Sequence, residues 1–176
     1  MTKQSRSTYL TLSALALAVV AATGSASAAV ATATSTSTVV TPIAISKNAD
    51  LSFGSFAPGA TSGTVTVSPN NTRAVSGGVV ALGSGATAAQ FAVTGQDGST
   101  YSITLGGSTS LTSGSDTMTF TSISDLTASA ATSGNVSGGT LTGGAQTIYV
   151  GGVLDVGANQ AAGTYTGTVT ATVEYN

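Results

Sequence analysis

Residues 164–175 alternate without a break. Tyr165, Gly167, Val169, Ala171, Val173 and Tyr175 fall on one side, and Thr164, Thr166, Thr168, Thr170, Thr172 and Glu174 on the other. Side chains along a strand point to opposite faces with period two, so the pattern predicts one long strand with an apolar face and a hydroxyl face. The same period recurs in shorter pieces. Over 63–68 it turns Val65 and Val67 inward, and over 117–122 Met118 and Phe120. Residues 50–56 set Leu51 and Phe53 on one face. Residues 39–46 are apolar and β-branched but carry Pro42, which favours an edge or a bend. Residues 78–82 form a short apolar run. Residues 90–94 and 100–105 flank Gly95-Gln96-Asp97-Gly98-Ser99, which reads as a hairpin with Phe91 and Val93 facing Tyr101, Ile103 and Leu105. Residues 146–156 present Ile148, Val150, Leu154 and Val156, and Gly151-Gly152 in their middle predicts a bulge or sharp bend. The one helical signal is residues 124–132, where Ser124 is placed to cap a turn ahead of Asp125 and Leu126.

Many short strands with turn residues between them predict a single all-β domain, an immunoglobulin-like Greek-key β-sandwich. Composition agrees. Gly occurs 23 times in 176 residues and Ser and Thr abound, which supplies turns and strand faces, whereas charged residues are only 6% and exclude the highly charged signature of disorder. Val75-Ser76-Gly77-Gly78 recurs as Val136-Ser137-Gly138-Gly139, and both read as turn chemistry, not as a repeat architecture.

The first residues have a different character. Lys3 and Arg6 precede an apolar run over 9–22, and 23–28 end in the small-x-small pattern Ala26-Ser27-Ala28. This reads as a secretory leader over 1–28 cleaved after Ala28, with an N-terminal membrane anchor as the lesser reading. Residues 29–40 then form an Ala/Ser/Thr-rich extension, and 41–176 the sandwich domain. No membrane span is expected after cleavage.

Chemistry is sparse. Past the leader the only cations are Lys47 and Arg73, so no basic patch invites nucleic acid. There is no His and no Cys, which removes the usual general base, thiol catalysis and the commonest metal ligands. Ser46-Lys47 lacks the Ser-x-x-Lys spacing of serine acyl enzymes, and Lys47 reads as a solvated residue at a strand end. Asp50, Asp97, Asp116, Asp125 and Asp155 are scattered singly, unlike a calcium loop. Asp97 is explained by its turn. Gly83-Ser84-Gly85-Ala86-Thr87-Ala88 has a G-x-G-x-x-A form, but no helix follows and no acid lies about twenty residues on. Asn70-Asn71-Thr72 and Asn135-Val136-Ser137 have the form of sequons in a chain where Ser and Thr make such triplets common. No catalytic residue, cofactor site or metal site is expected.

Two end segments carry a resemblance. The first runs from Ile45 to Pro58 around Leu51-Ser52-Phe53-Gly54; the second runs from Gly157 through Ala162-Gly163-Thr164-Tyr165 into Val173-Glu174-Tyr175. With Thr38-Val39-Val40-Thr41-Pro42-Ile43 and Ala89-Gln90-Phe91-Ala92-Val93-Thr94-Gly95, they resemble the bacterial domain-of-unknown-function family 4402 over essentially the whole chain past the leader. More distantly, the Leu-x-Phe-Gly start and the Ala-Gly-x-Tyr…Val-x-Tyr finish are similar to the spore-coat-U-type pilins of chaperone–usher systems. Neither is an enzyme family.

The pilin resemblance implies a sandwich lacking one strand, held by a periplasmic chaperone and completed through an outer-membrane usher by the N-terminal extension of the next subunit. Tyr165, Val169, Ala171, Val173 and Tyr175 would then floor the acceptor gap. Val30, Thr32, Thr34, Thr36, Thr38 and Val40 would line one face of the donor. The chain departs from those pilins in lacking the disulfide near their first strand, and its donor side chains are small. The expected function is an exported, non-enzymatic structural subunit of a pilus-like surface appendage, associating with itself or related subunits. The alternative is a self-complete secreted sandwich that binds a surface ligand such as glycan through its loops.

Overall fold

The computed structural model describes residues 27–176; of the expected leader, all but Ser27 and Ala28 lies outside them. Residues 38–176 form one compact body. Among the described residues every regular element is a strand: β1 (Ala44–Ala49), β2 (Ser55–Ala57), β3 (Gly63–Val67), β4 (Arg73–Gly77), β5 (Val80–Leu82), β6 (Ala89–Thr94), β7 (Thr100–Gly107), β8 (Ser110–Ser113), β9 (Asp116–Asp125), β10 (Gly138–Thr140), β11 (Ala145–Val156) and β12 (Val169–Tyr175). The helical reading of 124–132 is therefore wrong. Ser124 and Asp125 end β9, and the Asp125 carboxylate then accepts from Thr127 N–H at 3.0 Å, Thr127 Oγ1 at 3.2 Å and Ser129 Oγ at 2.5 Å. A carboxylate that bonds the backbone two residues on favours a turn over a helix.

The larger sheet has seven strands organised on β11. Along one edge of β11, Ala145–Val150 pair with β6 and Gly152–Val156 with β3; along the other, Tyr149–Leu154 pair with β9. Outside these lie β1 next to β6, β4 next to β3 and β8 next to β9. The smaller sheet is β10-β7-β12, and β2 and β5 make a separate ribbon. The inward faces of the two larger sheets share one core: Phe91 and Val93 of β6 and Ile148 and Val150 of β11 cluster with Tyr101 and Ile103 of β7. A second cluster gathers Phe53, Val65, Val67, Val79, Met118, Phe120, Leu154 and Val156, with the Phe53 and Phe120 rings edge to face at 6.0 Å. The molecule is an all-β sandwich.

Two expectations about connections are corrected. β6 and β7 do not form a hairpin, because β6 pairs with β1 and β11 while β7 pairs with β10 and β12. Residues 95–99 arch from one sheet to the other. The arch bonds to the 141–144 turn: Gly95 N–H donates to Gly144 O, Gly98 N–H to Leu141 O, Leu141 N–H to Ser99 O, and Asp97 Oδ1 accepts from Gly143 N–H. Phe91 and Val93 do meet Tyr101 and Ile103, but across the sandwich. At Gly151-Gly152 there is no bulge, for β11 keeps one register against β9 from Tyr149 to Leu154. The glycines serve close approach instead. A Cβ on Gly151 would overlap Val67 O, and one on Gly152 the Phe120 ring. The one irregularity of register is in β1, between Lys47 and Ala49.

Candidate functional site

β12 is an edge strand that pairs only with β7 among the described residues, from Val169↔Gly107 to Tyr175↔Tyr101. Its inward side chains Val169, Ala171, Val173 and Tyr175 are half-buried, and Thr170, Thr172 and Glu174 are exposed. The predicted alternation therefore holds, over a shorter strand. Backbone geometry adds a second property. Ser108 N–H donates to Thr168 O at 2.8 Å and Asn176 N–H to Thr100 O at 3.3 Å, in the register of the β12–β7 ladder. Residues of an antiparallel pair alternate between exchanging bonds with the partner strand and pointing their N–H and C=O away from it. Even-numbered residues of β12 thus bond to β7, and Val169, Ala171, Val173 and Tyr175 direct theirs to the free edge. The same four residues offer apolar side chains to the core and backbone groups to a further strand.

The corresponding edge of the larger sheet is β1, which pairs only with β6 among the described residues. Ile45 of β1 and Ile43 just before it are also half-buried and pack on the same core as β12. Val93, Tyr101 and Ile148, in the core that both edges pack on, are fully buried. β1 and β12 belong to different sheets and touch without pairing, the chain just before β1 lying at the end of β12. Their ends are joined by Tyr175. Its hydroxyl donates to Thr41 O at 2.7 Å and accepts from Gln96 N–H at 2.6 Å, while Thr41 N–H donates to Gln96 Oε1 at 3.3 Å. Gly95 admits the phenol, since a Cβ there would overlap its oxygen.

Of the five residues expected to floor an acceptor gap, four lie together on β12. Tyr165 lies apart, before the strand. Its hydroxyl donates to Ala161 O at 2.8 Å and accepts from Gln160 Nε2 at 2.9 Å, and its ring packs on the second core cluster. The donor residues Val30, Thr32, Thr34, Thr36, Thr38 and Val40 are exposed and belong to no strand.

Sequence reasoning missed three features. Tyr175 was legible as an apolar position of a strand, but nothing in the spacing paired its hydroxyl with Thr41 and Gln96. Arg73 ties β4 to the loops around the β2–β5 ribbon by donating to Phe53 O and Ser55 O at 3.1 Å, Leu82 O at 3.4 Å and Gly83 O at 2.6 Å. This gives the Leu-x-Phe-Gly segment a physical role, because Gly54 takes a φ of +69° and its missing side chain makes room for the guanidinium. Tyr101 carries a buried hydroxyl with no hydrogen-bond partner, and burial raises its pKa.

The remaining charges do local work. Lys47 lies within β1, not at its end, and pairs with Asp50 at 2.6 Å, both side chains largely exposed. Among the described residues no three His, Cys, Asp or Glu side chains gather where a metal could sit. Gly83 to Ala88 form a loop with Gly83 and Gly85 at positive φ, without a helix behind them.

The family model described as Domain of unknown function (DUF4402) matches residues 43–175. The chain belongs to that family. The match begins at the first half-buried residue before β1 and ends at Tyr175, so the DUF4402 domain takes in both free edges and the tyrosine that joins them. No curated protein and no solved structure matches the chain.

Proposed function

We propose that this DUF4402 domain is an exported, non-enzymatic structural subunit that assembles by β-strand donation, as the pilins it distantly resembles do. In this reading the sandwich is immunoglobulin-like and one strand short. The chain is exported behind its leader, passes through the periplasm with a chaperone and an outer-membrane usher, and ends in a surface appendage. The observation that carries the reading is the coincidence on β12: Val169, Ala171, Val173 and Tyr175 have both half-buried side chains and free-edge backbone groups, beside a second unpaired edge at β1. Strand addition to an exposed edge draws affinity from the backbone ladder and specificity from alternate side chains.

Magnitudes say which term dominates. Burial contributes about 0.8 kcal/mol per CH₂, and residues 29–40 offer larger apolar groups only at Val30, Val39 and Val40. Each net hydrogen bond adds about 0.5–1.5 kcal/mol, so the ladder along β12 supplies the larger share. Removing residues 29–40 behind the leader is expected to leave a folded subunit that does not polymerise. Size-exclusion chromatography and electron microscopy of surface material read the outcome, and polymers of unchanged length would refute the reading.

A further inference from the structure

We propose that the outer face of the larger sheet carries a shallow groove for a neutral sugar residue of a glycan, with the Tyr149 ring as its stacking platform. The groove lies on the face turned away from the core, and β12 belongs to the other sheet. The proposal therefore stands apart from strand donation.

Tyr149 is singled out by what it does not do. Every other Phe or Tyr among the described residues belongs to one of the two core clusters, and Tyr149 to neither. It sits on β11 between Ile148 and Val150, both fully buried, and is itself half-buried. Period two therefore turns its ring to the outer face. A chain so poor in aromatics keeps one where the core gains nothing from it.

The ring stands at the side of a depression. Residues directly opposed on neighbouring strands share a face. The pairs Tyr149↔Gln90, Thr147↔Ala92 and Ala145↔Thr94 therefore set Tyr149 beside a floor of short side chains. The depression holds about 360 Å³, and its lining includes Tyr149, Thr147, Thr94 and Ala92, with Leu126 and Thr127 from the chain that leaves β9. That volume is at the lower end of the range for small-molecule sites. The Leu126–Thr127 side is held in place. Asp125, opposite Tyr149 on β9, accepts from Thr127 N–H and Thr127 Oγ1, and Gln146 Nε2 donates to Leu126 O at 3.0 Å. A groove fixed before binding loses little conformational freedom when it is filled.

The lining matches the surface of a pyranose, which has C–H groups on one face and hydroxyls around its rim. The Tyr149 ring offers an apolar face with a polar tip. The Thr94, Thr147 and Tyr149 hydroxyls both donate and accept, and the Gln146 amide keeps its Oε1 as an acceptor. No charged side chain lines the groove. The carboxylate beside it, Asp125, is engaged by Thr127 and Ser129 and repels an anionic ligand. An extended peptide is the poorer match, because a sheet face lacks the backbone ladder from which strand addition draws its affinity.

Saturation-transfer NMR reads ligand protons and so serves monomer and assembly alike. The exported protein is screened with the methyl glycosides of glucose, galactose, mannose and N-acetylglucosamine, with methyl glucuronoside as the anionic counterpart and a proline-rich peptide as the other class. Transfer to the C–H face of at least one neutral glycoside is expected. Tyr149→Ala and Ala92→Leu should each weaken that binding by about tenfold, the scale of one lost stacking contact. Tyr149→Phe keeps the ring and should cost less than Tyr149→Ala. Ala92→Leu keeps the ring as well and fills the floor, so it tests the groove even where the alanine variant fails to fold. Binding unchanged in Ala92→Leu and in every folded Tyr149 variant would place the sugar elsewhere and overturn the site. No transfer to any neutral glycoside, or a preference for the glucuronoside or the peptide, would overturn the ligand. Each of these outcomes leaves strand donation at β12 as it stands.

Discussion

β11 and β12 have the same kind of sequence and opposite surroundings. Both alternate, and both turn Ile, Val, Leu, Ala or Tyr toward the core. β11 has neighbours along both edges, and Ile148, Val150, Leu154 and Val156 are at most 1% exposed. β12 has a neighbour on one edge, and every inward side chain on it stays half-buried. Alternation therefore specifies which face of a strand is apolar, while burial is set by whether the strand's edges are covered. The difference is that β11 is covered along both edges and β12, among the described residues, along one.

The largest expected effect tests this contrast directly. Leu154→Ala should destabilise the domain by about 2–5 kcal/mol, the range for emptying a fully packed leucine site. Val173→Ala removes fewer atoms from a site that solvent already reaches, and should cost about 1 kcal/mol, close to the transfer of the lost methyl groups alone. Urea denaturation of the isolated domain measures both. Equal losses would mean that β12 is as well covered in solution as β11.

A smaller effect concerns β4, the other outer strand on the β3 side of the larger sheet. Arg73 fastens the end of this strand to the β2–β5 ribbon through four carbonyl oxygens. Hydrogen bonds to charged groups are worth about 1.5–3 kcal/mol when buried, and Arg73 is partly exposed, so Arg73→Ala should cost about 1–3 kcal/mol. Arg73→Lys should recover less than half, because an ammonium cannot span the carbonyls with a planar fork. Hydrogen exchange should locate the loss in residues 52–57 and 80–83, leaving β11 protected. Loss of protection spread evenly over the molecule would show that the ribbon belongs to the core and is not held by this one side chain.

The same contrast explains what the sequence made legible. Strands with strong inward residues, such as β3, β9, β11 and β12, are evident from period two. β4 (Arg-Ala-Val-Ser-Gly), β8 (Ser-Leu-Thr-Ser) and β10 (Gly-Gly-Thr) are not, because outer strands need few buried side chains and their backbone pairing leaves no mark on composition. The sequence around residues 95–99 suits a hairpin as well as an arch, because both arrangements turn Phe91 and Val93 toward Tyr101 and Ile103. Only the pairing of residues 95–99 with residues 141–144 decides between them, and that contact is distant in sequence. At the candidate site, period two marked the four residues on β12. Tyr165 shared their period but left the strand, since its hydroxyl is held by Ala161 and Gln160. Arg73 and Tyr175 act on backbone groups, which every residue has, so no spacing announces their partners.

The smallest effect falls on the covered side, at the end of β9. The Ser129 hydroxyl, followed by the Thr127 N–H, stabilises the charged form of Asp125 and lowers its pKa from the ordinary 3.8. A lowered folded value means that the contribution is fully present above the unfolded pKa and is lost as pH falls through the folded one. The Thr127–Ser129 turn should therefore hold at neutral pH and loosen only in acid, below the ordinary aspartate value. Following the Asp125 carboxyl and the Ser129 amide by NMR from pH 6 downward would show it, and Asp125→Asn should remove the pH dependence of that turn. β12 should not respond over the same interval through this group, because Asp125 pairs with Tyr149 of β11 in the other sheet. A coupled response of Val173 and Ser129 would mean that the covered and uncovered sides melt as one unit, and the contrast between β11 and β12 would then describe packing without describing local stability.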